Sequence, residues 1–368
     1  MKVLHILAEL KFSGAEIMYV SAAKEFQKLG CDLSVVNTSA ILGEYSSFFL
    51  KTGYKVLHWP YGHLNIIQKL KYYNKAIKYI KSNKIDVVHV HRSDMKFGMS
   101  FCAWMAGAKP VYTFHNVFYS HWHSYLYHLW LRWGAKHIFG CRFQTISDSV
   151  YEHEIDYYHN KTTKVYNWYN TDKFYPAEVG EKEKIRESLD ISNEALVIIS
   201  VGGCSPIKRH SEVVKAVAEI KKQNSNILYL HLGEGESLEN EIQLSKSLGV
   251  YDNIRFLGNQ VDVRKFLIAS DIYVMTSLHE GIPITTIEAL ACKIPAVLYD
   301  VPGLKDFNKD DICSVLIPED YHILADSILK LYSNKNMQVN ISKKGLAMVN
   351  EKYNMKKQVL EIYKLYCK

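Results

Sequence analysis

The sequence lacks the features that mark secreted, membrane-spanning and zinc-binding proteins. No stretch approaches the roughly 18 consecutive apolar residues of a membrane span, and the opening letters MKVLHILAEL favour a core strand over a signal peptide. The seven cysteines are scattered and odd in number, without a C-x-x-C pair, which favours a reduced cytosolic compartment over disulfides or zinc. At 368 residues, the chain predicts a cytoplasmic protein of two domains.

Motifs typical of divalent metal sites are also missing. No D-x-D triplet occurs, and no histidine or cysteine spacing matches a known metal-ligand pattern. We therefore expect no metal and no other cofactor.

Positive charge is concentrated in the first half of the chain. Residues 1–175 contain 21 lysines and arginines against 12 acidic residues, while the whole chain has a formal net charge of +7. Six lysines and no acidic residue lie between positions 64 and 84. This segment is either a solvated amphipathic helix or a surface for an anionic lipid or acceptor. Because no recognised nucleic-acid-binding motif accompanies the charge, we expect no nucleic-acid partner.

Short apolar runs alternate with helical patterns along the chain, which is typical of parallel α/β architecture. The runs predict strands at 3–7, 31–36, 55–59, 86–91, 110–116, 143–147, 163–167, 195–203, 226–235, 253–259, 271–277, 295–300 and 314–318. Helical patterns occupy 15–29, 64–83, 95–106, 209–223, 236–248, 261–269, 284–292 and 321–333, and the tail from 336 is helical. The strand rhythm breaks at 168–193. We predict two doubly wound, Rossmann-like domains, 1–170 and 171–351, with the ligand site in the cleft where their strand ends face each other.

The strongest functional motif is HEGIPITTIEAL, residues 279–290. Seven residues separate the carboxylates of Glu280 and Glu288, and Gly281 and Pro283 form a turn just before a helix. The unpaired N–H groups and the positive dipole end of that helix suit a diphosphate, while carboxylates suit sugar hydroxyls. In the plainer interpretation, Glu280 complements the dipole and Glu288 is an exposed helical residue.

The second motif, VGGCSPIKRH at 201–210, follows a fully apolar strand. Gly202 and Gly203 allow a tight turn, and Lys208 and Arg209 lie near the start of the next helix, where the dipole disfavours cations. Basic residues at such a position indicate a phosphate partner, since a leaving diphosphate needs neutralisation where no metal is present. The alternative is an ordinary surface Lys-Arg pair.

Other positions carry weaker signals. Gly233 belongs to a strand-to-helix G-x-G turn whose third glycine position holds leucine, and Gly14 lies in the turn FSGAE after the first strand. His115 ends the strand PVYTFHN, and the carboxyl end of a central strand faces the ligand site in this architecture. His89 and His91 alternate on DVVHVH and are weaker candidates of the same kind.

In this order, the motifs resemble those of the retaining GT-B glycosyltransferases of family four. The resemblance covers nearly the whole chain, with FSGAE, TFHN, TISDSV and YNWYNTDKF in the first half and VGGCSPIKRH, HLGEGE, IRFLGN, ASDIYVMTS and EGIPITTIE in the second. It implies that His115 contacts the transferred sugar, Lys208 the diphosphate and Glu280 the donor sugar, as the three catalytic residues. It further implies a donor-binding set in which Glu288 holds the ribose, namely Gly14, Gly202, Gly203, Arg209, Gly233, Gly258, Asn259, Gly281, Ile282, Pro283, Ile284 and Glu288. The final helix, 352–368, is expected to pack back on the N-terminal domain.

Two positions depart from the family pattern. Gly203 stands where the family commonly has arginine, so one phosphate-binding cation is missing unless Arg209 replaces it. The crossover segment, usually Asn-Gly-Val-Asp, reads Asn167-Trp168-Tyr169-Asn170, which affects the expected interdomain hinge and not the catalytic set.

We therefore expect a glycosyltransferase that moves a hexose-type sugar from a nucleoside diphosphate sugar, with a UDP-sugar favoured, to a hydroxyl with retention of configuration. A GT-B nucleotide-sugar epimerase and a catalytically inactive GT-B partner subunit are the alternatives. An NAD(P)-dependent oxidoreductase is disfavoured, because no strand-to-helix junction supplies a complete G-x-G-x-x-G.

The acceptor is predicted from the segment that follows His115. Residues 117–133 (VFYSHWHSYLYHLWLRW) are dense in aromatic side chains, which stack on sugars and tolerate a membrane interface. Together with the lysines at 69, 71, 75, 78, 81 and 84, they predict a lipid-linked glycan acceptor at an anionic membrane surface, on the inner face of the cell membrane, in cell-surface polysaccharide assembly. The alternative is that the aromatic residues form core and the acceptor is soluble.

Overall fold

The computed structural model describes all 368 residues, and helices and strands alternate throughout. The first part of the chain contains seven strands, β1 Lys2–Leu7, β2 Asp32–Asn37, β3 Lys55–His58, β4 Val87–Val90, β5 Lys109–Phe114, β6 Arg142–Thr145 and β7 Thr163–Lys164. Its helices are α1 Gly14–Ser21, α2 Ala23–Lys28, α3 Ser46–Lys51, α4 Ile66–Ser82, α5 Lys96–Ala106, α6 Tyr125–His137 and α7 Asp148–Asp156.

The second part repeats the alternation. Its strands are β8 Leu196–Val201, β9 Ile227–Leu232, β10 Ile254–Phe256, β11 Ile272–Met275, β12 Ala296–Tyr299 and β13 Val315–Ile317. Its helices are α8 Glu181–Ser188, α9 His210–Gln223, α10 Leu238–Ser247, α11 Val263–Ala269, α12 Ile284–Ala291, α13 Tyr321–Ser333 and α14 Lys335–Lys352, and the chain closes with α15 Met355–Cys367.

The chain forms two compact units. The first unit comprises Met1–Asn167 together with Met355–Lys368, and the second comprises Trp168–Asn354. The last helix, α15, belongs to the first unit, where it packs against α2 and the Tyr366 hydroxyl lies 2.6 Å from His89 Nδ1. The division after Asn167 lies close to the boundary predicted after residue 170.

Each unit is built on one parallel sheet. The strand order is β3-β2-β1-β4-β5-β6-β7 in the first unit and β10-β9-β8-β11-β12-β13 in the second. Central strands of such sheets are covered on both faces, so they consist of nearly continuous apolar residues, and all six residues of β8 are buried. The predicted pair of doubly wound α/β domains is confirmed.

The order of the strands reverses once in each sheet, between β1 and β4 and between β8 and β11. In doubly wound sheets the loops at the carboxyl ends of the strands diverge at such a switch point and leave a crevice there. The loops after β1, β4, β8 and β11 are therefore the places where a ligand site is expected.

Two local predictions are wrong. The helix predicted at 15–29 is two helices separated by Ala22, and the strand predicted at 163–167 is reduced to the two residues of β7. The aromatic segment 117–133, for which no helix was predicted, contains the first part of α6. None of the helices combines the length and the apolar character needed to cross a membrane.

Candidate active site

The site in the second unit forms where two loops leave adjacent strands. The loop after β8 and the loop after β11 are far apart in sequence, but β8 pairs directly with β11. The Leu278 amide donates to the Ile207 carbonyl over 2.9 Å, and Thr276 Oγ1 donates to the Lys208 carbonyl over 3.1 Å. These bonds join the two loops and hold the backbone of Lys208 in place.

Lys208 and Glu280 form the centre of this site. Lys208 Nζ donates to Glu280 Oε1 over 2.6 Å, and Ser277 Oγ donates to the same oxygen over 2.6 Å. The side chain of Lys208 is 24% exposed and that of Glu280 is 13% exposed, so the ion pair is accessible from one side only. In the free protein the two predicted catalytic charges therefore neutralise each other.

Gly303 allows the chain to pass close behind Glu280. Its φ is +81°, and a Cβ at this position would lie 2.3 Å from the Glu280 carbonyl oxygen. The Glu280 amide also donates to the Pro302 carbonyl over 3.0 Å. Residues 302–303, which follow β12, thus fix the position of the Glu280 backbone. A side chain at position 303 would displace Glu280.

Arg209, the second cation of the motif, faces two acids. Its guanidinium pairs with Glu319, and Arg209 Nη2 lies 3.4 Å from Glu212 Oε2. Arg209 is the N-cap of α9, and carboxylates beside it offset the unfavourable placement of a cation at this helix end. A phosphate is therefore not the only anion that accounts for the Lys208-Arg209 pair, and the role of Arg209 in donor binding stays a prediction.

The glycines of the site let neighbouring turns approach each other. The Gly202 amide donates to the Leu232 carbonyl over 3.0 Å, and Gly233, with φ +140°, would place a Cβ only 1.9 Å from the Gly202 carbonyl oxygen. The Gly233 amide in turn donates to the Gly258 carbonyl over 2.9 Å. Gly233 is thus required for packing, whereas a Cβ on Gly203 would meet only the Glu234 carbonyl oxygen at an ordinary 3.5 Å.

Helix α12 begins beside these loops. Pro283 is its N-cap, no side chain caps the first turn, and the preceding Gly281 and Ile282 are buried. Ile284 is the first helical residue, as predicted. The N-terminal N–H groups of α12 are thus without a side-chain partner, which is the condition for binding an anion there.

Glu288 lies one turn into α12 and is buried, with only 6% of its surface exposed. Its carboxyl group makes no hydrogen bond or ion pair within the protein, although Lys173 lies near enough to interact electrostatically. Burial raises the pKa of Glu288 to about 8, and Lys173 lowers it slightly. The interpretation of Glu288 as an exposed helical residue is therefore wrong, and its carboxyl group, which has no protein partner, can accept hydrogen bonds from water or a ligand.

Two family matches cover most of the chain. Residues 12–173 match the family described as Glycosyltransferase Family 4, and residues 181–348 match the family described as Glycosyl transferases group 1. The structure of Anabaena HepE in complex with UDP-glucose has the same fold, with a TM-score of 0.84 over 99% of both chains at 18% identity. The chain belongs to the GT-B glycosyltransferases of the family 4 type.

Curated relatives of this glycosyltransferase are distant. The UDP-Gal:alpha-D-GlcNAc-diphosphoundecaprenol alpha-1,3-galactosyltransferase of Escherichia coli is 25% identical over 83% of this chain and 81% of its own length. The N-acetyl-alpha-D-glucosaminyl L-malate synthase of Bacillus anthracis is 25% identical over 55% of this chain, and the match spans only about half of that protein, 52%. The predicted family and the assignment as an enzyme are confirmed by these matches.

The first unit of the glycosyltransferase carries the remaining predicted residues. Gly14 is the first residue of α1, directly after the N-cap Ser13, whose hydroxyl donates to Glu16. His115 directly follows β5, and its Nε2 lies 3.1 Å from His91 Nδ1. Both residues lie at the carboxyl edge of the sheet, as predicted, and their roles toward a ligand stay predictions.

In the turn after β10, Asn259 Nδ2 donates to Glu234 Oε2 over 3.3 Å. A Cβ on Gly258, whose φ is +62°, would lie 2.7 Å from Glu234 Oε1. Gly258 and Asn259 therefore surround the Glu234 carboxylate at the end of the G-x-G turn. Sequence reasoning did not single out Glu234, and the only signal was its place between the two glycines of LGEGE.

Two buried clusters of the glycosyltransferase have side chains of the kinds that bind metals. They are His5, His89 and His91 in the first unit, and Cys204, His231 and Glu241 in the second, each with ligand atoms within 4.8 Å of one another. In the second cluster His231 Nε2 lies 2.9 Å from Glu241 Oε2 and 3.8 Å from Cys204 Sγ. Its Nδ1 is buried without an acceptor, whereas a metal-bound histidine needs an acceptor for its other N–H, so this cluster is poorly suited to a metal.

Proposed function

We propose that this enzyme is a retaining glycosyltransferase that moves a sugar from a UDP-sugar to a hydroxyl of a lipid-linked glycan in cell-surface polysaccharide assembly. The observation that carries the proposal is the meeting of Lys208 and Glu280 at the switch point of the second sheet, one turn of helix away from the partnerless carboxyl of Glu288. A cation, an accessible carboxylate and a buried carboxyl at the carboxyl ends of parallel strands suit a diphosphate, a sugar and a ribose in that order.

The ion pair between Lys208 and Glu280 is the state of the site before the donor binds. A nucleoside diphosphate competes with Glu280 for Lys208, because its phosphate oxygens carry more negative charge than one carboxylate. Once Lys208 turns to the diphosphate, Glu280 is left with Ser277 and is free to accept hydrogen bonds from sugar hydroxyls. Binding of the donor diphosphate to Lys208 therefore also frees Glu280 to bind the donor sugar.

Lys208 and the N-terminus of α12 then stabilise the leaving group. As the bond between the anomeric carbon and the phosphate oxygen breaks, negative charge develops on the diphosphate, and fixed positive groups lower the energy of that state. In a front-face route the acceptor oxygen bonds to the anomeric carbon on the face from which the diphosphate departs. The departing phosphate oxygen takes the proton of the acceptor hydroxyl. No protein nucleophile is needed in this route, and configuration is retained.

Two relatives support a UDP-sugar donor. The name of the Escherichia coli relative specifies UDP-Gal as donor and a diphosphoundecaprenol-linked acceptor, and Anabaena HepE has been crystallised with UDP-glucose. We carry these properties to this chain as part of the proposal, because the site described above has the charges that such a donor requires.

Exposed apolar side chains support a lipid-linked acceptor. Trp122 is 88% exposed, Leu126 75%, Trp130 53% and Trp133 56%, which argues against the alternative that the aromatic residues of this segment form core. Helix α6 packs against α5, and α5 against α4, which carries the lysine-rich segment. Rings and lysines on neighbouring helices match the apolar boundary and the anionic headgroups of a membrane, and we place the enzyme peripherally on its cytoplasmic face.

The donor proposal is tested by thermal unfolding of the full chain in the presence of UDP, GDP, ADP and their hexose conjugates. A ligand that binds the native state alone raises the midpoint by an amount that grows with the logarithm of its concentration above Kd, so UDP and one or more UDP-sugars should raise it. Stabilisation by no nucleotide would refute the donor site. Conversion of a UDP-sugar without any acceptor would instead indicate an epimerase.

A further inference from the structure

Three histidines of the first unit form a hydrogen-bonded row that ends at His115. His5 lies on β1, His91 directly follows β4, and His115 directly follows β5. His5 Nδ1 is 3.1 Å from His91 Nε2, and His91 Nδ1 is 3.1 Å from His115 Nε2. His5 and His91 are buried and His115 is half-buried, so the row runs from the interior of the sheet to its carboxyl edge.

Every ring of this row is neutral at neutral pH. Burial lowers the pKa of His5 to about 3 and that of His115 to about 4, and burial and the adjacent histidines hold the pKa of His91 well below its usual range. A neutral imidazole has one N–H and one lone pair. The two contacts therefore allow two arrangements, with the proton on Nδ1 of all three rings or on Nε2 of all three.

The buried end of the row decides between these arrangements. His5 Nε2 is buried and has no hydrogen-bond partner. Protonation of the three rings on Nε2 would leave an unpaired N–H in the interior, which is rarer in proteins than an unpaired acceptor. At the other end, His115 Nδ1 has no partner in the protein and is available to water or a ligand in either state. The arrangement with the three protons on Nδ1 is therefore favoured.

We propose that His5 and His91 are positioning residues that fix the tautomer of His115, so that His115 presents an Nδ1–H donor at the carboxyl edge of the sheet. The consequence rests on the proposed function. His115 then donates a hydrogen bond to an oxygen of the transferred sugar as a neutral ring, and does not act as the base that removes the acceptor's proton.

His89 belongs to a separate network, which argues against a metal in this cluster. Thr113 Oγ1 donates to Gln144 Oε1 over 2.6 Å, so it accepts from His89 Nε2, and His89 Nδ1 accepts from the Tyr366 hydroxyl. Both nitrogens of His89 are thus engaged at 2.6 Å by hydroxyl groups. The lone pair that a metal would need is already occupied.

The tautomer is measured by two-bond ¹H–¹⁵N correlation spectra of the full chain labelled with ¹⁵N-histidine, with the signals of His115 assigned through His115→Gln. We expect His115 to be protonated at Nδ1 and unprotonated at Nε2. Protonation at Nε2 would overturn the proposal, and so would a shift of the His5 and His91 signals on addition of zinc alone. This readout does not depend on sugar transfer, so it separates failure of the tautomer proposal from failure of the proposed function.

Two variants of His91 test the consequence for activity. Asparagine places an amide nitrogen near the position of Nδ1 and retains a donor to His115, whereas leucine does not. His91→Leu should lower kcat about tenfold with UDP binding unchanged, and His91→Asn should stay within about threefold of the wild type. Equal losses in the two variants, or weakened UDP binding, would show a merely structural role. If His91→Leu does not fold, the NMR measurement of the His115 tautomer in the wild-type protein tests the proposal alone.

Discussion

At the scale of single residues, the cations of the proposed donor site are paired with acidic side chains of the protein itself. Lys208 is paired with Glu280, and Arg209 with Glu319 and Glu212. Glu288 is the exception, because it is buried and has no partner of its own. The two cations therefore have acidic partners within the protein, whereas the Glu288 carboxyl group can accept hydrogen bonds from a ligand.

Removal of the central carboxylate should stop the reaction while the fold is retained. Glu280→Ala is expected to lower kcat by roughly 10²–10³, the range seen when a group that stabilises the transition state is deleted. The midpoint of thermal unfolding should change little, since Glu280 lies on a loop at the edge of the core. Glu319→Ala is the matched control, because it removes the carboxylate of the neighbouring cation, Arg209, and should leave most activity. Wild-type turnover in purified Glu280→Ala would remove Glu280 from the catalytic set.

The raised pKa of Glu288 predicts how nucleotide affinity depends on pH. Ribose hydroxyls donate more strongly to a carboxylate than to a neutral acid, so the affinity for UDP should rise with pH and level off above about 8. The stability of the ligand-free protein should change with pH in the opposite direction to the UDP affinity. The folded pKa lies above the ordinary 4.5, so stability falls as the pH rises from there towards 8.

Calorimetric titration of UDP between pH 6.5 and 9, values chosen to bracket that pKa, checks this prediction. Above a pH of about 8, Glu288→Gln should bind UDP more weakly than the wild type, by roughly 1.5–3 kcal/mol, and it should lose the pH dependence because an amide does not titrate. Any pH dependence that remains in Glu288→Gln comes from other groups, such as the phosphates of UDP. The same pH profile in wild type and Glu288→Gln would show that Glu288 does not contact the nucleotide.

Gly203 offers a gain-of-function test of the phosphate site. The family commonly has arginine at this position, and here a Cβ would meet nothing closer than the Glu234 carbonyl oxygen at 3.5 Å. Gly203→Arg should therefore fold and bind UDP up to about tenfold more tightly, as expected for one added charge-assisted hydrogen bond. Gly203→Gln, of similar length without the charge, is the control. Unchanged or weaker binding in a folded Gly203→Arg protein would place the diphosphate elsewhere.

Sequence motifs identified the charged residues of the site but not the groups that hold them. Lys208, Glu280 and Glu288 lie in motifs whose residue types suit phosphate and sugar. Ser277 and Gly303 gave no comparable signal, because their importance arises only when the turns after β11 and β12 approach Glu280. Burial of Glu288 was likewise invisible, since a helical glutamate is exposed in most proteins.

At the scale of elements, the strands were the easiest part to predict. A parallel strand covered on both faces is a continuous apolar run, and every predicted run contains a strand in the structure. Helix α6 was not predicted, because its aromatic residues do not form a single buried face. Trp130 and Trp133 remain about half exposed, so the usual amphipathic pattern is missing.

The exposed lysines at 69–84 and the exposed aromatic side chains of α6 predict binding to anionic membranes. In co-sedimentation with vesicles, the full chain should bind when anionic lipid is present and dissociate as salt is raised, because screening weakens attraction between exposed charges. Glutamine at lysines 69, 71, 75, 78, 81 and 84 should abolish most binding.

The matched control replaces six exposed lysines of the second unit by glutamine, namely Lys184, Lys293, Lys305, Lys330, Lys335 and Lys343. It changes the net charge by the same amount and should retain binding. Equal recovery of wild-type protein in the supernatant with and without anionic vesicles would refute the membrane surface. The donor site would be unaffected by that result.

At the scale of the whole molecule, the same arrangement occurs in each unit. Both sheets reverse their strand order once, and three residues with functional signals follow strands beside a reversal, namely His91 after β4, Lys208 after β8 and Glu280 after β11. His115 follows β5, which pairs with β4. Parallel topology therefore explains why short motifs far apart in the chain converge. No motif in the sequence identifies the acceptor, because the exposed aromatic and basic side chains that we propose contact it follow no recognised pattern.

The central claim is that Lys208, Glu280 and the N-terminus of α12 stabilise a departing nucleoside diphosphate without a metal. It is tested most directly by incubating the purified enzyme with a UDP-sugar and a lipid-linked glycan acceptor in excess chelator, with released UDP quantified and the anomeric configuration of the product read by NMR. The account predicts undiminished turnover and retention of configuration. Turnover that stops in chelator and returns with magnesium or manganese would contradict it.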